Sequence, residues 1–127
     1  KEGIVWYSLN RSGLLGRLDP KTGKQIEYPV LPFREDRTIP LSSPYGIMAD
    51  HKNKVWFGDQ GLGGALIRFD QDTEKFAYFP LPRKTDNPNI DITGKGAIVY
   101  TSRSSRQAAI GIFYPDVSQM TSFAVYR

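Results

Sequence analysis

Few residues in this sequence could do chemistry, and most of them are arginines. There is one histidine, His51, and no cysteine, so disulfides, zinc–thiolate sites and covalent c-type haem attachment are excluded for this segment. No Walker-type phosphate loop, Ser–His–Asp set or paired-histidine metal motif occurs. What remains is charge placed between short apolar runs. Arg11, Arg34, Arg37, Arg83, Lys84, Arg103 and Arg106 stand against Glu35, Asp36, Asp59 and Asp86, seven basic groups to four acidic ones. Guanidinium favours planar, bidentate recognition of carboxylate or phosphate. Together with Tyr45, these residues form a candidate docking face for an anionic ligand or an acidic protein surface. The competing reading is a solvated rim that keeps the protein soluble. Asp59, beside Gly61-Leu62-Gly63-Gly64, could join a magnesium or calcium site, but such ions want several oxygen ligands and one carboxylate is a poor site. His51 reads as a solvated turn residue on the opposite side.

The elements that must position these groups are short strands. Aromatics make up 13% of the chain, with nine prolines and twelve glycines, a mixture that favours strands and tight turns over long helices. Hydrophobic content of 39% and charge of 24% are those of a globular chain. The net charge of +4 is far from a nucleic-acid signature, so no nucleic-acid partner is expected. No apolar run approaches the ~20 residues of a membrane span. Lys1-Glu2-Gly3 leads directly into a strand, with no signal peptide, and reads as a processed, trimmed or fragmentary start.

A repeat organises the chain. Val5-Trp6-Tyr7-Ser8 recurs as Val55-Trp56-Phe57-Gly58 and as Ile98-Val99-Tyr100-Thr101. Gly13-Leu14-Leu15-Gly16-Arg17-Leu18-Asp19 recurs as Gly64-Ala65-Leu66-Ile67-Arg68-Phe69-Asp70 and as Ala108-Ala109-Ile110-Gly111-Ile112-Phe113-Tyr114. A period in the forties with four short strands per copy is the signature of an all-β propeller. The copies predict strand a at 44–50 and 89–93, and strand b at 3–9, 54–59 and 96–102. Strand c is predicted at 13–19, 64–70 and 108–114, and strand d at 24–31, 75–81 and 121–126. The first copy lacks strand a. The predicted blades are 1–31, 44–82 and 87–127, all within one partial propeller, 1–127. Asp19, Asp50 and Asp70 are expected as turn acceptors, with Gly23 and Asn53 at positive φ. The strand-b aromatics Trp6, Trp56, Tyr7, Phe57 and Tyr100 are expected to pack blade against blade.

Gly16-Arg17-Leu18-Asp19-Pro20-Lys21-Thr22-Gly23-Lys24, Glu27-Tyr28-Pro29, Pro44-Tyr45-Gly46-Ile47-Met48-Ala49-Asp50 and Phe79-Pro80-Leu81-Pro82 resemble repeats of the virginiamycin B lyase (streptogramin lyase) family. The resemblance covers almost the whole chain and weakens after Asn87. It implies a ring that in family members usually has seven blades, of which this chain would hold less than half, the C-terminal part. It also implies a lyase chemistry in which histidine and glutamate side chains and a magnesium ion open a cyclic depsipeptide by elimination. This sequence departs from that pattern. Leu41-Ser42-Ser43-Pro44-Tyr45 contains no histidine, and Leu9, Asp59 and Ser102 stand where the family often carries glutamate.

Two function classes follow. One is a non-catalytic binding or scaffold propeller that docks a protein partner or anionic ligand through its d–a and b–c loops. The other is a carbon–oxygen lyase whose catalytic residues, and any magnesium, belong to blades outside this chain. No catalytic or metal residue is assigned within it. Upstream blades, another copy or a different subunit are expected to complete the ring. The compartment stays open, with a periplasmic or secreted one favoured.

Overall fold

The structure is a computed structural model that describes residues 3–31, 42–59, 65–81, 89–102 and 109–116, and the backbone of 119–124. Its strands form three separate antiparallel sheets. The first comprises β1 (Val5–Leu9), β2 (Leu14–Leu18) and β3 (Gln25–Pro29) in that order. The second runs β4 (Pro44–Ala49), β5 (Lys54–Asp59), β6 (Ala65–Asp70) and β7 (Lys75–Pro80). The third runs β8 (Ile90–Ile92), β9 (Ile98–Ser102), β10 (Ala109–Tyr114) and β11 (Gln119–Ala124). Among the described residues there is no α-helix, only a 3-10 turn at Asn10–Ser12. Each sheet is a meander of sequential strands, which is the blade of a propeller.

Turn chemistry sets the register. Asp19 Oδ1 accepts the N–H of Lys21, Asp70 Oδ1 those of Asp72 and Thr73, and Asp50 Oδ1 those of Lys52 and Lys54. Gly23 at φ 72° and Asn53 at φ 63° occupy the left-handed positions the turns require. Glu74, at φ 56°, takes the place of Gly23 in the second β-hairpin. Several boundaries differ from expectation by two residues: β1 begins at Val5 and β9 at Ile98, two after their predicted starts, β3 ends at Pro29, two before its predicted end, and β11 begins at Gln119, two before its predicted start. Tyr114 pairs with Gln119 as Asp70 pairs with Lys75, so the third hairpin closes as tightly as the second.

Strand alternation decides which side chains meet which sheet. Trp6 points toward the second sheet and meets Phe69 at a ring-centroid distance of 5.5 Å, while Tyr28 meets Phe69 at 4.6 Å. The same triangle recurs one sheet on: Trp56 lies 6.0 Å and Phe79 4.9 Å from Phe113. One core cluster therefore joins Leu15 and Val30 to Val55, Phe57, Ile67 and Phe69, and a second joins Trp56 and Leu66 to Ile98, Tyr100 and Phe113. Both cross from one sheet to the next, as the strand-b aromatics predict.

The partner of each Phe57-type residue varies with it. Phe57 pairs with Ile67, whereas Tyr7 pairs with Gly16 and Tyr100 with Gly111. The tyrosine rings lie flat over those glycines: a Cβ on Gly16 would sit 2.0 Å from the Tyr7 ring, and one on Gly111 2.0 Å from that of Tyr100. An aromatic covering a cross-strand glycine protects the backbone there and fills the space that Ile67 fills in the second sheet.

Candidate functional site

The described part of the loop face is built at the meeting of the first two sheets. β1 ends in the Asn10–Ser12 turn, closed by Gly13 at φ 65°. Asn10 Nδ2 donates to the Pro44 carbonyl at 3.5 Å, and Ser8 Oγ donates to the Tyr45 carbonyl at 3.0 Å. Pro44 in turn pairs with Asp59 across β4 and β5. Arg11, Tyr45 and Asp59, three candidates far apart in sequence, are thereby brought to one end of the sheets. Arg11 is exposed and Tyr45 is 48% exposed. A cation and a phenol ring on this rim could meet a carboxylate or an aromatic group.

Asp59 differs from both. It is only 2% exposed, and its Oδ1 accepts the N–H of Ser43 at 2.9 Å. It ties the start of β4 to the end of β5, and its charge raises the Tyr78 hydroxyl pKa, second to burial. Tyr78 donates to the Leu31 carbonyl at 2.7 Å, and Ser42 Oγ donates to the same oxygen at 3.3 Å. The carboxylate therefore belongs to a network that fixes the chain entering the second sheet. Among the described residues no three histidine, cysteine or acidic side chains gather around one point. A lone buried carboxylate already accepting a backbone N–H does not fit a magnesium ion, which wants several oxygen ligands.

Arg34, Arg37, Arg83, Lys84, Arg103 and Arg106, with Glu35, Asp36, Asp86 and the glycine-rich stretch 61–64, lie outside the described residues. Ser102, at the position equivalent to Asp59, is buried and pairs with Ala109. His51 stands in the β4–β5 turn at the opposite end, exposed to solvent.

Other residues emerge only from the geometry. Asp50 Oδ2 accepts the indole N–H of Trp56 at 2.8 Å, locking the ring that packs on the third sheet. The Arg68 guanidinium lies 5.6 Å from the Trp56 ring and 5.1 Å from that of Phe79, with its Nε buried and unpaired. Tyr100 is 1% exposed, its hydroxyl has no partner, and burial pushes its pKa up to about 12. The recurrence of glycine opposite a tyrosine was the available signal for Tyr7 and Tyr100. For Arg68, its equivalence to Arg17 was the signal.

No known protein family matches the sequence, and neither does any curated protein. Solved structures do. The selenomethionine-substituted virginiamycin B lyase from Staphylococcus aureus superposes with a TM-score of 0.79 at 26% identity, over 98% of this chain and 39% of that one. A streptogramin B lyase structure gives 0.78 at 22% identity, over 97% and 37%. The extracellular domain of a putative one-component system from B. thetaiotaomicron gives 0.67 at 14% identity, over 99% and 16%. The chain thus spans about two fifths of the length of the two lyases.

Proposed function

We propose that this chain, a stretch of virginiamycin B lyase-like β-propeller, serves as a non-catalytic binding or scaffold segment that docks an anionic ligand or an acidic protein surface through its d–a and b–c loop face. The observation that carries this reading is the state of Asp59. At the position where the family often carries glutamate, the carboxylate is buried and committed to the Ser43 N–H, while its equivalents are Leu9 and Ser102. Elimination needs a base that can reach a carbon-bound proton, and these three side chains offer none. The arginine-rich composition of the same loops supports recognition of carboxylate or phosphate. The test is direct. The 127-residue chain should not open a streptogramin in the presence of magnesium, and cleavage by it would overturn the proposal.

A second reading rests on the likeness to the two lyases: the chain is part of a carbon–oxygen lyase whose reactive groups are carried by other blades. Adding this chain to such blades would then be required for turnover, without any of its own side chains acting as acid or base.

Either reading needs the end faces of the chain covered. Because Trp6 faces the second sheet, Val5 and Tyr7 point the other way, and Val5 is 48% exposed. Because Phe113 faces the second sheet, Ile110 and Tyr114 point outward and are 48% and 44% exposed. The positions of Val5, Tyr7 and Ile110 repeat those of Val55, Phe57 and Leu66, which are buried between neighbouring sheets, so the fitting occupant of each face is a further propeller blade.

A further inference from the structure

The end of the sheets opposite the arginine-bearing loops carries a cleft that neither functional reading uses. It lies where the β4–β5, β8–β9 and β10–β11 turns meet and holds about 100 Å³. Asp50, His51 and Lys52 line it from the second sheet, and Lys95, Gly96 and Asp116 from the third. Two sheets therefore build it jointly.

The hydrogen-bonding state of its groups is unequal. Both oxygens of Asp50 are engaged: Oδ1 by the N–H groups of Lys52 and Lys54, at 2.9 Å each, and Oδ2 by the Trp56 indole N–H at 2.8 Å. Asp116 accepts from Lys52 Nζ at 2.8 Å, an ion pair that crosses from sheet to sheet. Lys52 holds the Asp116 carboxyl below the usual carboxylate range, with a smaller contribution from His51. The basic groups are less committed. Among the described residues neither His51 nor Lys95 has a hydrogen-bond or ion-pair partner. Gly96, held at φ 82°, brings its turn against the imidazole: a Cβ there would lie 3.5 Å from His51 Cε1. Asp50 has both oxygens engaged and Asp116 has Oδ1 engaged by Lys52, while the His51 and Lys95 donors stay uncommitted, and an anion is what those two donors can satisfy.

We infer that this cleft binds a small oxyanion of carboxylate or phosphate size, with Lys95 and His51 donating to it and Lys52 shared between the anion and Asp116. Both lysines are exposed, so screening keeps the affinity in the millimolar range and makes it salt-sensitive. Phosphate binds more tightly than acetate, because a tetrahedral anion can accept at once from the donors that converge from the β4–β5 and β8–β9 turns.

The probe is inorganic phosphate, with acetate and sodium chloride as comparison salts, at fixed pH and ionic strength. The readout, in the assembly that covers the chain's end faces, is the ring Cε1–H resonance that His51→Gln removes, His51 being the single histidine of this sequence. Saturable shifts with phosphate, weaker with acetate and absent with chloride, are the expected result. Lys95→Ala should raise the phosphate Kd at least about three-fold and Lys95→Glu should abolish saturation. Lys21→Ala, in a turn of the first sheet, should leave it unchanged. Lys95 is an exposed turn residue, and an unaltered amide spectrum in each variant confirms folding. A linear drift equal to that in chloride, or a Kd insensitive to Lys95→Ala, overturns the assignment.

Discussion

Gly111 lies beneath the ring of Tyr100, which is sealed between the second and third sheets at 1% exposure. Gly111→Ala would place a methyl 2.0 Å from Tyr100 Cζ, and a sealed ring cannot move aside without repacking its neighbours. We expect a loss of about 1–3 kcal/mol in urea unfolding. Gly16→Ala makes the same clash with Tyr7, but Tyr7 is only half-buried and faces outward, with its hydroxyl alone covered. In the isolated chain the ring can swing away, so the loss should be clearly smaller. Equal losses in the isolated chain would mean that the Tyr7 face is already covered. Asp70 gives a residue-scale test in pH. Lys54 and the backbone N–H groups of Asp72 and Thr73 lower its pKa from 3.8 to about 2. A carboxyl depressed on folding stabilises the native state above its unfolded pKa, and that contribution is lost as pH falls toward the folded value. Stability should therefore fall between about pH 4 and pH 2, and Lys54→Met should reduce the part of that fall due to Asp70. An identical acid profile in the variant would remove Lys54 from the account.

At the scale of elements, the d–a and b–c loops should carry recognition while the sheets stay indifferent to it. Replacing Arg103 and Arg106 with alanine should weaken binding of an acidic partner and flatten its salt dependence together. The circular dichroism of the sheets should not change. Unchanged affinity would return these arginines to a solvated rim. The strands themselves were legible because their signals are local: β5 and β7 follow from alternation and the Asp-led turns, and β4 from Pro44-Tyr45-Gly46, a motif that resembles the family's repeats. β11 was placed late because Pro115-Asp116-Val117-Ser118 carries no glycine to mark the close of the turn. Only the pairing of Tyr114 with Gln119 fixes it. Of the candidate residues, Arg11, Tyr45 and Asp59 stand at the same end of the sheets, and Asp59 is buried there with its Oδ1 accepting the Ser43 N–H, a contact set by how the chain enters β4. Sequence spacing does not encode that contact. Phe69 and Phe113, each closing an aromatic triangle with a tryptophan of the preceding sheet, were hidden for a similar reason. Their partners are on different sheets, so no local period reveals them.

The whole molecule is governed by faces that repeat. Each inner sheet-to-sheet contact buries a tryptophan, a strand-d aromatic and a phenylalanine from the next sheet, and the end faces present the same kinds of position to solvent. Burial at roughly 25 cal/mol per Å² makes an uncovered blade face comparable in cost to the stability of an ordinary domain. The binding-segment account and the lyase-part account both predict that those faces are covered, by further blades, another copy of this chain or a different subunit. Sedimentation of the purified 127-residue chain, paired with thermal unfolding, tests this most directly. The account predicts association or a weakly cooperative, aggregation-prone species. A stable, cooperatively unfolding monomer of 14.3 kDa would contradict it.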